Sequence, residues 1–461
     1  MKIESTVAIT APDGTVHTDT IATLDKRTET SGDLGLSIAE GKEILLQLQQ
    51  DIVTAQCAAY CADRACCPAS GRKLRGKGHR EIRYRTVFGD VTVDSPRYYQ
   101  PPGHAGATQT FSPLTDLLPD HVAPELLWLE TKWASLVSFG VTADLLKDVL
   151  PIDQQLNPET IRRHHGRMAT RMESERAAER FSFIDTSPTQ RAELPHPDGS
   201  ITVGINGGYI RSREDGQTHF EVTVGKSIPR ERPRRYLGFV QCHDEKPKRR
   251  LHEILKDQGW QENQPVTFMT DGGDTVINMA PFMAPASEHI LDWFHITMRI
   301  TVLRQYVKGL AHHNDDAAKE LDRYLRRIKG FLWHGNRHEG QAFIEYLVDD
   351  LEDIETAYVS IKALRKAAGE FQTDIANNRT MIPNYAERRR YGERVSTGFV
   401  ESTVNTVVGK RFAKKQQMRW SKQGAHLMLQ TRTRTLDGTL RDRFEHWYPG
   451  LTTHAETRMA A

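Results

Sequence analysis

Cysteine is scarce in this chain. Five residues out of 461 (Cys57, Cys61, Cys66, Cys67 and Cys242) do not make a disulfide scaffold. Long apolar runs are missing as well. The most apolar stretch, residues 126–141, carries Glu130 and Lys132 and is too short to span a bilayer. The start, MKIESTVAIT, has no basic segment followed by an apolar one, so no secretory signal is expected and the cytoplasm is the expected compartment. Neither sign of charge dominates: 62 Lys and Arg stand against 60 Asp and Glu, a net charge of +2. No G-x-S-x-G and no G-x-x-x-x-G-K-[ST] occurs, and no cysteine opens a helix beside a partner histidine. Serine- or cysteine-hydrolase chemistry and an ATP-driven motor therefore lack their parts. No repeat of 20–50 residues is present. What remains is a globular composition, 38% hydrophobic and 26% charged, with length for roughly three domains at about 150 residues each.

The charge is unevenly distributed. Residues 410–434 read KRFAKKQQMRWSKQGAHLMLQTRTR, with eight Lys or Arg and no acid, whereas residues 345–355 hold six acids and no base. A basic run by itself describes a solvated face. Here Phe412, Met418 and Trp420 interleave with the cations, which suits a partly packed surface facing phosphate.

Residues 1–111 read as turn-rich polar sequence, a helix over 37–62, the cysteine cluster, and a β-hairpin in RYRTVFGDVTVDSPRYY turning at Gly89-Asp90. Residues 112–185 read as helical. A short helix over 141–149 stops before Pro151, and a second opens with Asn157 as N-cap and Pro158 at its first position. The second carries Arg162, Arg163, His164, His165 and Arg167 as a cationic face. A short helix, a connection and a basic helix fit a helix-turn-helix and equally an ordinary helical bundle.

From residue 195 to 296 the period changes. Strands over 201–205, 219–224 and 235–242 precede a helix over 249–260 and a strand over 265–271; then come a helix over 274–284 and a strand over 289–294. That is the element order of a ribonuclease H-like α/β domain, although strand–helix alternation fits many α/β folds. Residues 297–395 read as a helical insertion with three apolar stripes: Ile296–Ile300–Leu303–Val307–Leu310, Leu321–Leu325–Ile328–Leu332, and Leu347–Leu351–Ile354–Tyr358–Ile361. Residues 396–445 return to the core with a helix holding Glu401 and Asn405, then the basic tail.

Three positions stand at element ends, where an α/β sheet puts a site. Asn206 ends VGIN before Gly207-Gly208, Asp271 ends TFMTD before Gly272-Gly273, and Glu401 lies in GFVESTVNTVV. Two-metal phosphoryl transfer needs such oxygen donors converging from separate elements, around metal ions roughly 3.5–4 Å apart.

Asp292-Trp-Phe-His295 resembles the C/D-x-x-H signature that follows the second acid of Mutator-like and related transposases, and Glu401 with Asn405 resembles their third-acid helix. The basic tail, VGINGGYIR, TDGGDTV, ILDWFHI, TFSPLTDLLP and LVSFGVTADLL resemble the ISKra-type family of bacterial insertion-sequence transposases, over about residues 50–445. The resemblance implies a DDE transposase with a ribonuclease H-like core interrupted by a large all-α insertion, preceded by a small β and cysteine-containing region and a helix-turn-helix-like DNA-binding region. It implies catalysis and Mg²⁺ (or Mn²⁺) binding at Asn206, Asp271 and Glu401, with His295 beside them. Double-stranded DNA, as terminal inverted repeats and target, is the implied partner of a chain that is oligomeric on DNA and has no membrane association. Arg162, Arg163 and Arg167 are expected to read the sequence; Lys410, Arg411, Lys414, Lys415, Arg419 and Lys422 are expected to hold phosphates.

The chain departs from the family at two places. The family has Asp where this chain has Asn206, which keeps a carbonyl oxygen but loses the charge. A decayed copy, a deliberately inactivated form and an enzyme that manages with asparagine are the open readings. In the cysteine region C-x3-C-x4-C-C replaces the family's paired knuckles, and Ser70 and Gln100-Pro101-Pro102 stand at their places. A structural zinc is disfavoured there, since adjacent Cys66 and Cys67 rarely both ligate one ion. The alternatives to a transposase are a catalytically inactive or domesticated DNA-binding derivative, which Asn206 favours, and a ribonuclease H-like nuclease or resolvase.

Overall fold

The computed structural model describes residues 1–11, 14–67, 71–100, 110–177, 187–195, 197, 199–214, 218–244, 246–272, 287–396, 398–413 and 418–451. The chain is mixed α/β and divides into two compact units, residues 1–169 with 439–461, and residues 170–438.

The first unit opens with an antiparallel hairpin, β1 (Lys2–Thr10) and β2 (Val16–Asp25), with a register shift at Ser5-Thr6. Its turn-rich polar sequence predicts no strands, because the Thr, Ala and Asp content hides the alternation. Helix α1 (Ile38–Asp63) starts where Ser37 and Glu40 cap each other reciprocally, Ser37 Oγ accepting from Glu40 N and Glu40 Oε2 from Ser37 N. Strands β3 (Gly76–Thr86), β4 (Gly89–Tyr99) and β5 (Thr110–Phe111) form an antiparallel sheet. Its first turn lies at Val87-Phe88 rather than at Gly89-Asp90: Thr86 pairs with Gly89, and Thr86 Oγ1 donates to Gly89 O at 2.7 Å. Val53, Cys57 and Cys61 of α1 bury against Val91 and Val93 of β4 and against Leu114 and Leu118, beside the short helix α2 (Leu114–Leu117). Next come α3 (Pro124–Leu136), α4 (Phe139–Val149) and α5 (Pro158–Ala177), whose shared core includes Ala134, Ala143, Leu146 and Ile161. The boundary between the units falls inside α5. The last helix, Leu440–Trp447, returns to this unit rather than to the core expected over 396–445; Arg441 donates to both Glu125 carboxylate oxygens, at 2.8 and 2.9 Å.

After α6 (Pro188–Ala192), the second unit is built on a five-stranded sheet. Strands β6 (Ile201–Arg211), β7 (His219–Ile228) and β8 (Arg235–Phe239) form an antiparallel meander. Helix α7 (Pro247–Asp257) crosses to β9 (Val266–Thr270), which runs parallel to β6, and β10 (Glu288–Leu291) runs parallel to β9. The strand order is β10-β9-β6-β7-β8. The helix expected over 274–284 lies outside the described residues.

The odd-numbered positions of β6 and the facing positions of its neighbours bury Ile201, Val203, Ile205, Leu237, Phe239, Val266 and Phe268 against Leu251 and Leu255 of α7. The opposite face carries the return of the chain, α13 (Gly398–Val404), a π-helix (Asn405–Ala413) and α14 (Lys422–Leu436); Leu429 and Thr433 of α14 lie over Gly238.

Between the two halves stands the helical insertion, α8 (Trp293–Leu310), α9 (Asp315–Trp333), α10 (Arg337–Asp353), α11 (Ile361–Asn377) and α12 (Tyr385–Arg390). The first two expected stripes are fully buried in its core. The third is not one helix: α10 ends at Asp353 and α11 begins at Ile361, with Arg365 donating to Leu351 O and Ile354 O across the break. A stripe of apolar residues cannot distinguish a continuous helix from two helices joined by a packed turn.

Candidate functional site

Asn206 does not end its strand. Strand β6 runs on through Gly207 and Gly208 to Arg211, because the ladder with β7 continues through Asn206–Val224, Gly207–Thr223 and Gly208–Val222. What ends near Asn206 is the neighbour: β6 pairs with β9 only from Ile201 to Gly204. Beyond that point the β9 side of β6 is open.

The register fixes what shares a face there. Gly204 pairs with Met269 on β9, and Met269 with Ile290 on β10. Side chains two residues on point the same way, and neighbouring strands lie about 4.8 Å apart. Asp271 and Asp292 therefore follow the last paired positions of β9 and β10 side by side, and Asn206 lies on the same face of β6, two residues past its last pairing with β9. The Asp292 amide donates to Thr270 O at 2.8 Å, which ties the third member to the second strand. Asp292 itself is 3% exposed and caps α8, its Oδ1 accepting from Phe294 N at 2.9 Å. Gly272 has φ +88° and is packed against the Asn378 side chain, so the chain leaves Asp271 through a turn that only glycine fills readily.

Helix α13 lies on the same face. Phe399 leans toward Lys226, which pairs with Gly204, and Val404 lies over Gly208. These contacts bracket the Asn206 row. At about 100° per residue, the rotation from Phe399 on the β7 side to Val404 over β6 carries Glu401 to the flank toward β9. Glu401 is exposed. One turn later Asn405 opens the π-helix, with its Oδ1 buried and lacking a hydrogen-bond partner among the described residues. Wide π-turns recur at functional sites. This one is held from behind by Arg432 of α14, which donates to Val407 O at 2.7 Å and to Thr406 O.

His295 faces the insertion. Its Nε2 lies 2.8 Å from Asp374 Oδ2 on α11, and Asn378 Nδ2 donates to Asp374 Oδ1 at 3.0 Å. Since Asn378 also packs on Gly272, the chain Asp271–Gly272–Asn378–Asp374–His295 fits the insertion to the end of β9.

Among the described residues, no three His, Cys, Asp or Glu side chains form a group that could hold a metal ion. Asn206 offers a carbonyl oxygen and no charge. The donors available near the row are hard oxygens, from Asp271, Glu401, Asn206 and Asn405, of the kind Mg²⁺ takes. The donor type fits the ion; the charge is short by one.

The expected DNA contacts sort differently. Of the tail cations, Lys410 and Arg419 are exposed, and Lys422 pairs with Glu214 at 3.4 Å. Arg411 is 2% exposed and stacks over Trp420 at 5.1 Å. Burial, with Arg432 nearby, pulls its pKa down to about 10, so it is a core cation and not a phosphate contact. Lys414 and Lys415 lie outside the described residues. Phe412 and Trp420 are buried together, and Trp420 bridges to the end of β6 through Arg211 O and Arg213 N. The tail's aromatics are core, and its charge lies on either side of them.

In the first unit, eight residues separate α4 from α5, longer than the roughly three- or four-residue turn of a helix-turn-helix. Asn157 caps α5 as expected, its Oδ1 accepting from Thr160 N at 2.9 Å. His164 and His165 are not part of a cationic face. Both are buried, and His164 Nδ1 lies 2.6 Å from Glu130 Oε2. Arg162 is paired with Glu159 on the surface, and Arg167 with Asp120 at 2.7 Å. Arg163 is exposed and lines a cleft of about 400 Å³ with Arg83, Arg85, Asp120, His121 and Arg167, in which Arg83 is paired with Asp90 and Asp153. Arg83 and Arg85 escaped the sequence analysis; their alternation in RYR along β3 is the signal that points them one way. Cys57 and Cys61 belong to the α1–β4 core, where burial pushes the Cys57 thiol up to about 11.

No protein-family model matches the chain, and no curated protein matches it. No helix among the described residues is long and apolar enough to cross a membrane.

Proposed function

We propose that this protein is a DDE-type DNA transposase of an insertion sequence, with a ribonuclease H-like core and a catalytic set formed by Asn206, Asp271 and Glu401, impaired by asparagine at the first position. The observation that carries the proposal is the register: Asn206 and Asp271 each lie two residues past the last β6–β9 pair, Gly204–Met269, on the same face of their strands, and the helix bearing Glu401 packs on that face of β6. The strand order, a meander joined to two parallel strands and interrupted by a helical insertion after β10, supports the same reading.

In this reading Asp271 and Glu401 supply the anionic oxygens and Asn206 a neutral one. Mg²⁺ or Mn²⁺, when bound, supplies the Lewis acid that lowers the pKa of attacking water and offsets charge on the phosphate. Water attacks phosphorus and the P–O3′ bond breaks, leaving a 5′-phosphate and a free 3′-hydroxyl; that hydroxyl then attacks a target phosphodiester, whose own P–O3′ bond breaks and releases the target 3′-oxygen as a hydroxyl, without a covalent enzyme intermediate. Asp292 and His295 are positioning residues: one caps α8 beside Asp271, the other fastens α8 to α11. Arg163 with Arg83 and Arg85 in their cleft, and Lys410 and Arg419 near the core, hold double-stranded DNA at the element's terminal inverted repeats and at the target. The protein works as an oligomer on chromosomal DNA in the bacterial cytoplasm.

Asn206 favours a second reading, a DNA-binding derivative that has lost catalysis. One experiment separates the two and tests both: metal-dependent cleavage of a plasmid carrying the element's ends, by the chain as it stands and by Asn206→Asp. Loss of one ligand carboxylate costs orders of magnitude in rate, each factor of ten being about 1.4 kcal/mol of barrier. Cutting by Asn206→Asp alone is the expected outcome. No cutting by either form, with DNA binding intact, selects the binding derivative; cutting by both moves the first ligand elsewhere, to Asp292.

A further inference from the structure

Lys226 lies on the sheet face that carries Asn206, one row toward the N-terminal end of β6, where it pairs with Gly204. It is 7% exposed. No hydrogen bond or ion pair to a described residue accompanies it; its ammonium lies 5.2 Å from the ring of Tyr236 and 6.0 Å from that of Phe399. Partial burial, and then the like charges of Arg234 and Arg394, lower its pKa; Arg234, on the turn before β8, stands two residues from Tyr236, the β8 partner of Lys226, and Arg394 lies ahead of α13. Arg394 lies over the same Phe399 ring, at 5.8 Å. Neither arginine makes an ion pair with a described residue, and both are exposed.

An ammonium without a counter-ion beside two like charges is unfavourable in a folded chain, and a bound anion relieves it. Gly204 puts no side chain between Lys226 and Met269. We propose that Lys226, Arg234 and Arg394 form a phosphate cleft that holds a backbone phosphate of DNA beside Glu401, two residues from Phe399. The ligand class follows from the donors, one compact ammonium and two planar guanidinium groups, which suit a phosphodiester. The choice of DNA as its source rests on the function proposed above.

The test is equilibrium binding of a roughly 20-base-pair DNA duplex to the full chain across a salt series, without divalent metal, for Lys226→Met and Arg394→Gln. Each variant should raise Kd by roughly tenfold and flatten the slope of log Kd against log salt by about one, independent of sequence. Lys226→Met should melt no lower than the parent, since it removes an unpaired charge, and Arg394→Gln changes an exposed residue; weak binding is then not misfolding. A run with inorganic phosphate in place of DNA distinguishes a free-anion site, which would overturn the DNA assignment if phosphate alone raises the melting temperature of the parent but not of Lys226→Met while DNA affinity stays the same. Unchanged Kd and slope in both variants would also overturn the cleft. The outcome is separable from catalysis: if Asn206→Asp never cuts but Lys226→Met weakens DNA binding, the cleft stands and the transposase does not.

Discussion

Val404 lies directly over Gly208: a Cβ on the glycine would meet Val404 Cγ1 at 3.3 Å, with Val222 and Val408 at 3.5 Å. The close approach seats α13, the helix that carries Glu401, on β6. Gly208→Val forces the helix off the strand. It should cost about 1–3 kcal/mol, as overpacking does, with Gly208→Ala costing less. Urea unfolding of the two variants checks this; equal stability of Gly208→Val and the parent would mean that the helix is not seated there.

Gly272 combines a left-handed backbone with a packed neighbour, the Asn378 amide. Gly272→Ala should lose about 1–3 kcal/mol. Part of the loss comes from the neighbour, so the same substitution should cost less in an Asn378→Ala background, while the backbone part persists. A double-mutant cycle with no coupling would separate Gly272 from the insertion.

Glu173 of α5 couples stability to pH. Burial alone would raise its pKa, but His426 at 3.1 Å and Arg250 at 2.8 Å outweigh burial and hold the carboxyl well below its ordinary 4.5. A folded-state pKa below the unfolded one means stability that is present above about pH 4.5 and is lost as pH falls below it. Glu173→Gln should therefore destabilise by about 3 kcal/mol near pH 7, leaving Arg250 less well paired, and should flatten the loss of stability on acidification. Denaturant midpoints near pH 7 and near pH 4 give both numbers; an unaltered acid limb would place the linkage elsewhere.

Lys410 and Arg419 are exposed, whereas Arg411 between them is core. Lys410→Gln with Arg419→Gln should weaken DNA binding to all sequences and reduce its salt dependence by about two in slope, roughly one per phosphate contact. Arg163→Ala should alter sequence preference. Arg411→Gln should lower the melting temperature and leave the salt slope alone. A salt slope that changes with Arg411 and not with its neighbours would contradict this division.

The thiols of Cys57 and Cys61 are packing groups in the α1–β4 core. Cys57→Ser, which buries a hydroxyl in place of a thiol, should cost about 1–3 kcal/mol. A chelator should leave the melting temperature of the parent unchanged, and a drop on chelation would return zinc to the cluster.

Local chemistry, legible in the sequence, determined where helices begin and which faces they bury. Ser37 and Asn157 each accept a main-chain hydrogen bond at the start of a helix, and the stripes from Ile296 to Leu332 are core, whereas Asp292, read as part of a strand over 289–294, caps α8. Such signals act within a turn or two of chain, so they survive any arrangement of the rest. Tertiary structure decided what lies far apart in sequence. Asn206 sits in mid-strand because β7 keeps pairing after β9 stops, and the strand-end residues on its face lie 65 and 86 positions away, Asp271 and Asp292 (271 − 206 and 292 − 206). A positive charge in the sequence does not tell its depth. Arg411 and Lys226 are buried while Lys410 and Arg163 are exposed, and only the packing of α13 and α14 on the sheet, and of α5 on α3, separates a core cation from one that can meet DNA.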